Sequence, residues 1–443
     1  MTVIRSEIEC YMMEQGMNIT TLSRLSGLNV GTVSSVLNGH KLIAVDQLDR
    51  ITSVMGLPQG HYYSRYIQES MVDTPPNWRR IRPLLYRCVE LNLLDCIRQI
   101  VNLLLDNLMY SALLFETAED MYQMQQGEAA SILYEGVAQS ELRQHSERLA
   151  VCQYRLFTLK LSEDQARNLE AAIQFEPYVE RLDEIEQLDA LRDLANIYRS
   201  LRRWDKVQDL VLMLRTKASI LYDLSHNPEL KRREQPKRAS RPIFYYIAFS
   251  NLLMCNVVLE KEDFEGAFRY IRLYEDLSWV RETDKETLYW KNQFKEWAEV
   301  NIHVCKLLSG DVSVIPSYLN YLQSKKQELL SGINNILEAA NKYGFDLEMY
   351  IEKINLAISH LTLQSQDSDL GVYTKQYFND RMSLLFYELA MYYIGRRDFL
   401  KAKEYIEVWK KYTTLNNEQS LLRYHMLLDM LTSGIDNDTP DAH

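Results

Sequence analysis

Hydrophobic residues return at helical spacing along almost the whole chain, and short polar segments separate one run from the next. In the first run, Ile4, Ile8, Tyr11 and Met12 fall at i, i+4, i+7 and i+8, which places them on one face of a helix. Alternation with the period of two that marks a half-buried strand is almost absent. The pattern therefore predicts an all-α protein.

Residues 18–39 predict two short helices joined by one tight turn. Asn18 can cap the first helix, because its side-chain oxygen can accept an N–H group that has no partner within the helix. Leu22 and Leu25 fall on one face at i and i+3. Gly27 supplies a residue that tolerates positive φ and so ends the helix, and Asn29 caps the next one.

The second of these helices has two different faces. Val33, Val36 and Leu37 are expected to face inward. The opposite face carries short polar side chains, namely Thr32, Ser34, Ser35 and Asn38. An apolar back and a narrow hydrogen-bonding front are typical of a helix that enters the major groove of DNA. Further on, Pro58 is expected to open a fifth helix at its first turn.

Residues 4–66 resemble the helix-turn-helix of the phage-repressor family, known as Cro/C1 or XRE. The resemblance rests on Gly27 as the turn glycine, Val33 as the buried residue and Asn38–Gly39 at the end of the helix. It implies a five-helix DNA-binding domain. The candidate DNA-contacting residues are Thr20, Thr21, Val30, Thr32, Ser34, Ser35, Asn38 and Lys41. The family usually has long amide or basic side chains at the positions of Val30, Gly31 and Ser35, and this chain does not.

The charges of residues 1–66 sum to zero, which predicts a modest attraction to phosphate for one copy. A dimer with two copies, helped by Arg79, Arg80 and Arg82, would strengthen that attraction. The alternative is a helical domain that binds a protein instead of DNA.

Residues 70–77 are the clearest linker, because Pro75 and Pro76 cannot continue a helix. They would separate a domain of residues 1–69 from a helical-repeat domain of residues 78–434, which is followed by a polar, acidic tail at 435–443.

Large, small and aromatic residues recur in residues 78–434 as in tetratricopeptide (TPR) repeats. The matches are Leu194, Ala195, Tyr198, Trp204 and Val207; Met254, Cys255, Phe264 and Ala267; Leu389, Ala390, Tyr393, Phe399 and Ala402; and, more weakly, Ala118, Met121 and Ala130, and His303, Gly310 and Val312. They predict about nine helix pairs in a right-handed superhelix.

A helix-turn-helix followed by a TPR array resembles the peptide-pheromone regulators of Gram-positive bacteria, the RRNPP group, and in length the neutral-protease regulators and phage arbitrium receptors. The resemblance implies a quorum-sensing transcription regulator in the cytoplasm. It would form a homodimer through the TPR domain, bind a palindromic double-stranded DNA operator and take a short imported signalling peptide in the TPR groove.

A groove for an extended peptide needs side-chain amides, because the peptide backbone must replace its hydrogen bonds to water. The candidate peptide-binding residues are Arg192, Asn196, Phe249, Asn256, Trp297 and Asn301. Arg192 would pair with a peptide carboxylate, the asparagines would bind the backbone, and Phe249 and Trp297 would supply apolar pockets. The plainer interpretation is that the asparagines lie on a solvated face and that Trp297 belongs to the core.

The amino-acid composition limits the classes of protein to which this chain can belong. Fifteen Gly and ten Pro are few for 443 residues, which favours helices, and a net charge of −11 confines any DNA contact to a local surface. Six scattered cysteines predict reduced thiols buried in helices, as in a cytoplasm, and no signal peptide is expected. The most apolar stretch, residues 100–115, is interrupted by polar residues, so no membrane span is expected.

No catalytic, cofactor or metal motif appears in the sequence, so an enzyme is not expected. Residues 226–242 form the one pronounced basic run and are expected to be a solvated loop, or a segment that attracts an acidic partner or DNA phosphate.

Two alternative functions remain open for the whole chain. One is a TPR scaffold that sequesters a response regulator or another protein, and the other is a phage or mobile-element repressor that responds to no ligand.

Overall fold

The chain is described from a computed structural model. The structure describes residues 3–105, 107–142, 146–162, 164–227, 239–325, 328–364, 372–412, 422–423, 425–427 and 429–430. No strand occurs among these residues, so the predicted all-α class is confirmed. The acidic tail and most of the basic run, residues 228–238, lie outside the described residues.

The first eleven helices are α1 (Val3–Glu14), α2 (Ile19–Ser26), α3 (Val30–Leu37), α4 (Val45–Val54), α5 (Tyr63–Ile67), α6 (Trp78–Glu90), α7 (Leu94–Leu104), α8 (Met109–Gln123), α9 (Gly127–Ser140), α10 (Glu147–Lys160) and α11 (Gln165–Phe175). The following ten are α12 (Glu184–Ser200), α13 (Trp204–Ser225), α14 (Ile243–Glu260), α15 (Phe264–Glu275), α16 (Lys285–Leu308), α17 (Ile315–Ser324), α18 (Leu329–Tyr343), α19 (Ile351–Gln364), α20 (Val372–Gly395) and α21 (Phe399–Tyr412). Short 3₁₀ or π turns occupy Gln68–Val72, Glu176–Arg181, Val312–Val314 and Glu348–Tyr350.

The chain divides into two compact units. The first comprises residues 1–160 and 173–183, and the second comprises residues 161–172 and 184–443. The predicted domain boundary at residues 70–77 stays a prediction. Part of that predicted linker is folded, because Ser70 and Met71 are buried within the turn Gln68–Val72 and the Ser70 hydroxyl donates to the Tyr66 carbonyl at 2.5 Å.

The caps and the turn between α2 and α3 form as the sequence predicts. Asn18 Oδ1 accepts from the Thr21 N–H at 2.9 Å, and Asn29 Oδ1 accepts from the Gly31 N–H at 2.8 Å. Gly27 ends α2 with φ at +64°, a conformation that strains any residue with a Cβ. The inward face of α3 is also confirmed, since Val33, Val36 and Leu37 are all buried.

Two predictions for this region are wrong. Leu25 is 50% exposed, and the buried face of α2 is instead Leu22, Ser23 and Ser26. The serines can be buried because their hydroxyls donate to nearby backbone carbonyls, as Ser26 does to the Leu22 carbonyl at 2.6 Å. Pro58 lies in a turn five residues before α5, which begins at Tyr63.

The small residues predicted to allow close helix packing are buried. The predicted small residues Ala118, Ala130, Ala195, Cys255, Ala267, Ala390 and Ala402 are each fully buried. In the second unit, α12 to α16 pack each against the next, and α18, α20 and α21 continue the series. The match through Val312 is wrong, because Val312 is 41% exposed in a 3₁₀ turn and the next helix begins only at Ile315.

The most apolar helix is α14 and not residues 100–115 as the sequence suggested. Among the described residues, α14 is the one helix long and apolar enough to cross a membrane, but most of it is buried against α13, α15 and other helices of the second unit. That environment is typical of a core helix. The described helices therefore do not form a multi-span membrane protein.

Five of the six cysteines are buried, and none of the six forms a disulfide. Cys10 is the exception to the predicted burial, because it lies on the exposed side of α1. A hydrogen bond with Cys305, and then burial, raise the pKa of Cys255, so this thiol stays protonated.

Candidate functional site

The candidate DNA-facing surface is formed by the outer sides of α2 and α3. Of its eight predicted residues, Thr20, Val30, Asn38 and Lys41 are exposed, and Thr21, Thr32, Ser34 and Ser35 are half-buried. The Asn38 amide donates to Ser34 Oγ at 3.2 Å, so one donor of this amide is already engaged within α3. The surface offers hydroxyl groups, one amide and the apolar Val30, which begins α3 and is 45% exposed.

Two carboxylates of residues 1–66 are paired with arginines outside α2 and α3. Glu7 pairs with Arg65, and Asp49 Oδ2 accepts from Arg87 Nε at 2.7 Å. The Tyr63 hydroxyl also donates to Asp49 at 2.8 Å. Burial raises the pKa of Tyr63, and the hydrogen bond to Asp49 adds to the rise.

Arg82, which the sequence offered as a helper in DNA binding, has a carboxylate partner within the first unit. Its Nη2 lies 3.2 Å from Asp120 Oδ2, and the Tyr86 hydroxyl donates to the same oxygen at 2.7 Å. Arg82 therefore has fewer N–H donors free for a DNA phosphate.

Arg192, the candidate for a peptide carboxylate, is held by carboxylates of its own helix. Its Nη1 lies 2.9 Å from Asp189 Oδ1 and its Nη2 lies 2.8 Å from Asp193 Oδ1, with only 17% of the side chain exposed. Burial lowers the pKa of Arg192, but the charges of Asp193 and Asp189 outweigh that effect and raise it. Arg192 is therefore permanently charged and already compensated.

Asp189 also fixes the chain just before α14. The Ser240 N–H donates to Asp189 Oδ2 at 2.9 Å, and the Tyr246 hydroxyl donates to Asp189 Oδ1 at 2.6 Å. This anchoring places the exposed Arg241 over Trp290, with its guanidinium carbon 5.1 Å from the ring centroid. A cation at this distance from an indole face is attracted by the ring.

Two of the candidate amides are half-buried and unengaged. Asn196 on α12 and Asn256 on α14 have no hydrogen-bond partner among the described residues. Asn301 differs, because its Nδ2 donates to the hydroxyl of the buried Tyr274 at 2.7 Å. Asn196 and Asn256 could still bind a peptide backbone, whereas one donor of Asn301 is already used.

The two candidate aromatic residues belong to one larger cluster. Phe249 stacks on Tyr245 with 5.5 Å between the ring centroids, and Tyr245 contacts Trp290 at 4.7 Å. Trp297 lies 6.4 Å from Trp290 and 5.2 Å from Phe294. Phe249 is buried and Trp297 is half-buried, so the cluster is more a wall than an open pocket.

Sequence reasoning missed Tyr245, Trp290 and Arg241. Tyr245 lies one helical turn before Phe249, and Trp290 lies two turns before Trp297, so the same stripe of each helix could have identified both. Burial raises the pKa of Tyr245, and Arg192 and Arg241 are close enough to oppose that rise. Nothing local in the sequence indicates that Arg241 contacts Trp290.

A second polar cluster lies on α18 and α20. Asn341 Nδ2 donates to Glu388 Oε2 at 2.7 Å, and Glu388 is 9% exposed. Burial raises the pKa of Glu388 to about 7; the bond from Asn341 opposes the rise, and Glu338 adds to it. Burial also raises the pKa of Glu338, although its side chain reaches solvent. Among the described residues, no group of His, Cys, Asp and Glu is arranged to hold a metal ion.

No protein-family model matches this chain, and no curated protein matches it in sequence.

Proposed function

We propose that this chain is a cytoplasmic transcription regulator that binds operator DNA through α2 and α3 and responds to a short peptide bound by its second unit. The DNA-binding part follows from the turn at Gly27 and from the two faces of α3. In this proposal, α1 to α5 form an XRE-type domain, and α3 enters the major groove. Val33, Val36 and Leu37 hold α3 against the domain, and its hydroxyl and amide groups meet the base edges.

The single observation that carries the peptide part is the pair of unengaged, half-buried amides on α12 and α14. Asn196 lies on α12, and Asn256 lies on α14, the helix that also carries Tyr245 and Phe249 of the aromatic wall. Amides satisfy the backbone of an extended peptide, and the wall accepts its apolar side chains. A peptide of about 5–10 residues is expected, and a homodimer would carry two DNA-binding domains to a palindromic operator.

The test is a thermal-shift screen of the full-length protein against synthetic peptides of that length. A binding peptide should raise the melting temperature, because a ligand that binds only the folded state stabilises it. Asn196→Ala and Asn256→Ala should each reduce the shift. Asn292→Ala is the matched control, since Asn292 is an exposed amide on α16 without a partner among the described residues. If no peptide shifts the melting temperature, the sensor function is rejected.

A second candidate function is a TPR-like scaffold that sequesters a protein such as a response regulator. It is favoured by the apolar residues exposed on α13, where Leu212 is 44% and Ile220 is 54% exposed. Apolar side chains in such positions mark protein contacts when they are contiguous. One stoichiometric folded partner, lost on Ile220→Asp, together with no duplex enriched from random-sequence DNA, would favour the scaffold over the regulator.

A further inference from the structure

Arg5 lies against the end of α3 although it belongs to α1. A Cβ built on Gly39 would come 2.6 Å from Arg5 Nη1, so the guanidinium rests directly on the Gly39 backbone. Gly39 has φ at +79°, and it ends the turn that follows α3. The absence of a side chain at residue 39 therefore admits Arg5 to the C-terminal end of α3.

Lys41 follows two residues later and reaches the same place. Arg5 and Lys41 both line a small cleft between α1, the end of α3 and the turn Gln68–Val72. Lys41 is exposed, and Arg5 is half-buried. Two cations at short range repel each other unless an anion lies between them or beside them.

One carboxylate lines the same cleft but forms no ion pair with these two cations. Glu69 lines the same cleft, but its Oε1 accepts from the backbone N–H of Ile4 at 3.1 Å, near the start of α1. Within the described parts of the chain, neither Arg5 nor Lys41 has a carboxylate within 4.0 Å. Arg5 Nε is buried and has no acceptor there.

Other acidic residues of the first five helices are drawn away by ion pairs. Glu7 pairs with Arg65 and Asp49 pairs with Arg87, as described above. Arg5 and Lys41 therefore lie at one end of α3 without an ion-pair partner in the part of the chain that the structure describes. Two cations that form no ion pair and lie beside a polar helix face are suited to a phosphodiester group.

We propose that Arg5 and Lys41 form a phosphate-binding pair that contacts the DNA backbone at the C-terminal end of α3. The inference rests on the proposed DNA-binding function; it adds Arg5 and assigns to Arg5 and Lys41 the phosphate contacts that set the position of α3 in the groove. Phosphate contacts fix the register of a recognition helix, and base contacts then supply the sequence preference. This pair replaces the long side chains that the repressor family usually has on the helix itself.

The experiment measures the affinity of the full-length protein for a duplex selected by the wild-type protein from random-sequence DNA. Fluorescence anisotropy at about 50 to 200 mM salt gives the slope of log affinity against log salt, which falls by about 0.9 for each phosphate contact that is lost. Arg5→Ala and Lys41→Ala should each reduce the slope by about one and weaken binding roughly tenfold at 0.1 M salt. Arg5→Lys should keep most of the slope, because the charge remains.

Arg98→Ala is the control, because Arg98 is an exposed arginine on α7 paired with Asp95 at 2.8 Å. Circular dichroism melting identifies any variant that loses its fold, and Arg5→Lys then carries the comparison. If the wild-type protein selects no duplex and shows no salt-dependent binding, the DNA-binding function itself fails. If the wild-type protein binds and both alanine variants keep its slope, the phosphate-binding pair is overturned while the DNA-binding function stands.

Discussion

Glu388 makes the stability of the second unit depend on pH near neutrality. An unfolded glutamate has a pKa of 4.5, and burial in the fold raises the pKa of Glu388 to about 7. A carboxyl whose pKa is raised by folding stabilises the native state fully below the unfolded pKa, and that contribution disappears as the pH rises through the folded pKa. Stability should therefore fall between pH 4.5 and about 7.

The size of this effect follows from the difference between the two pKa values. A difference of about 2.5 units at about 1.36 kcal/mol per unit gives roughly 3 kcal/mol. Solvent screening reduces this free energy only slightly, because Glu388 is only 9% exposed. Glu338 on α18 acts in the same direction, while Arg202, before α13, and Arg423 oppose it.

The perturbation is Glu388→Gln, which keeps the shape and the bond from Asn341 but removes the charge. At pH 8 the variant should exceed the wild-type protein in free energy of unfolding by up to about 3 kcal/mol, and at pH 5 the two should agree within about 1 kcal/mol. Urea unfolding at both pH values, with hydrogen exchange of α18 and α20, measures this. Glu407→Gln is the control, because Glu407 is an exposed carboxylate paired with Lys410. Equal pH dependence in the wild-type protein and in Glu388→Gln would refute the reasoning.

Two further predictions concern the fold. Gly332→Ala should destabilise the second unit by about 1–3 kcal/mol in urea unfolding, because its Cβ would lie 2.4 Å from two carbons of Leu322. Gly395→Ala should be neutral or stabilising, because nothing lies within 4 Å of the added Cβ. An equal loss of stability in the two variants would contradict the packing argument. Asn18→Ala should cost about 1 kcal/mol, because it removes the cap on the Thr21 N–H, and an unchanged melting curve would show that this cap is unimportant.

The features that the sequence predicted correctly are those that depend on near neighbours. Asn18, Gly27 and Asn29 fix the ends of α2 and α3 through contacts within four residues. The all-α class follows from helical spacing and the scarcity of Gly and Pro. Fully buried small residues such as Ala195 and Ala402 were also identified, because two helices can cross closely only where side chains are small.

The candidate sites were predicted less completely, because they depend on contacts between distant residues. Arg192 has the right chemistry for a carboxylate, but Asp189 and Asp193 take its charge, and Ser240 joins them from 48 residues away. Leu25 has the spacing of a core residue and is nevertheless exposed.

The sequence by itself determined the helices, their caps and the two faces of α3, because each depends on the order of neighbouring residues. Only the tertiary structure decided which charges form ion pairs. Arg5 meets Gly39 across 34 residues, and Glu69 turns instead to the N–H of Ile4. A charge in a fold is compensated by whatever packs beside it, and a pattern read along one helix does not contain that neighbour.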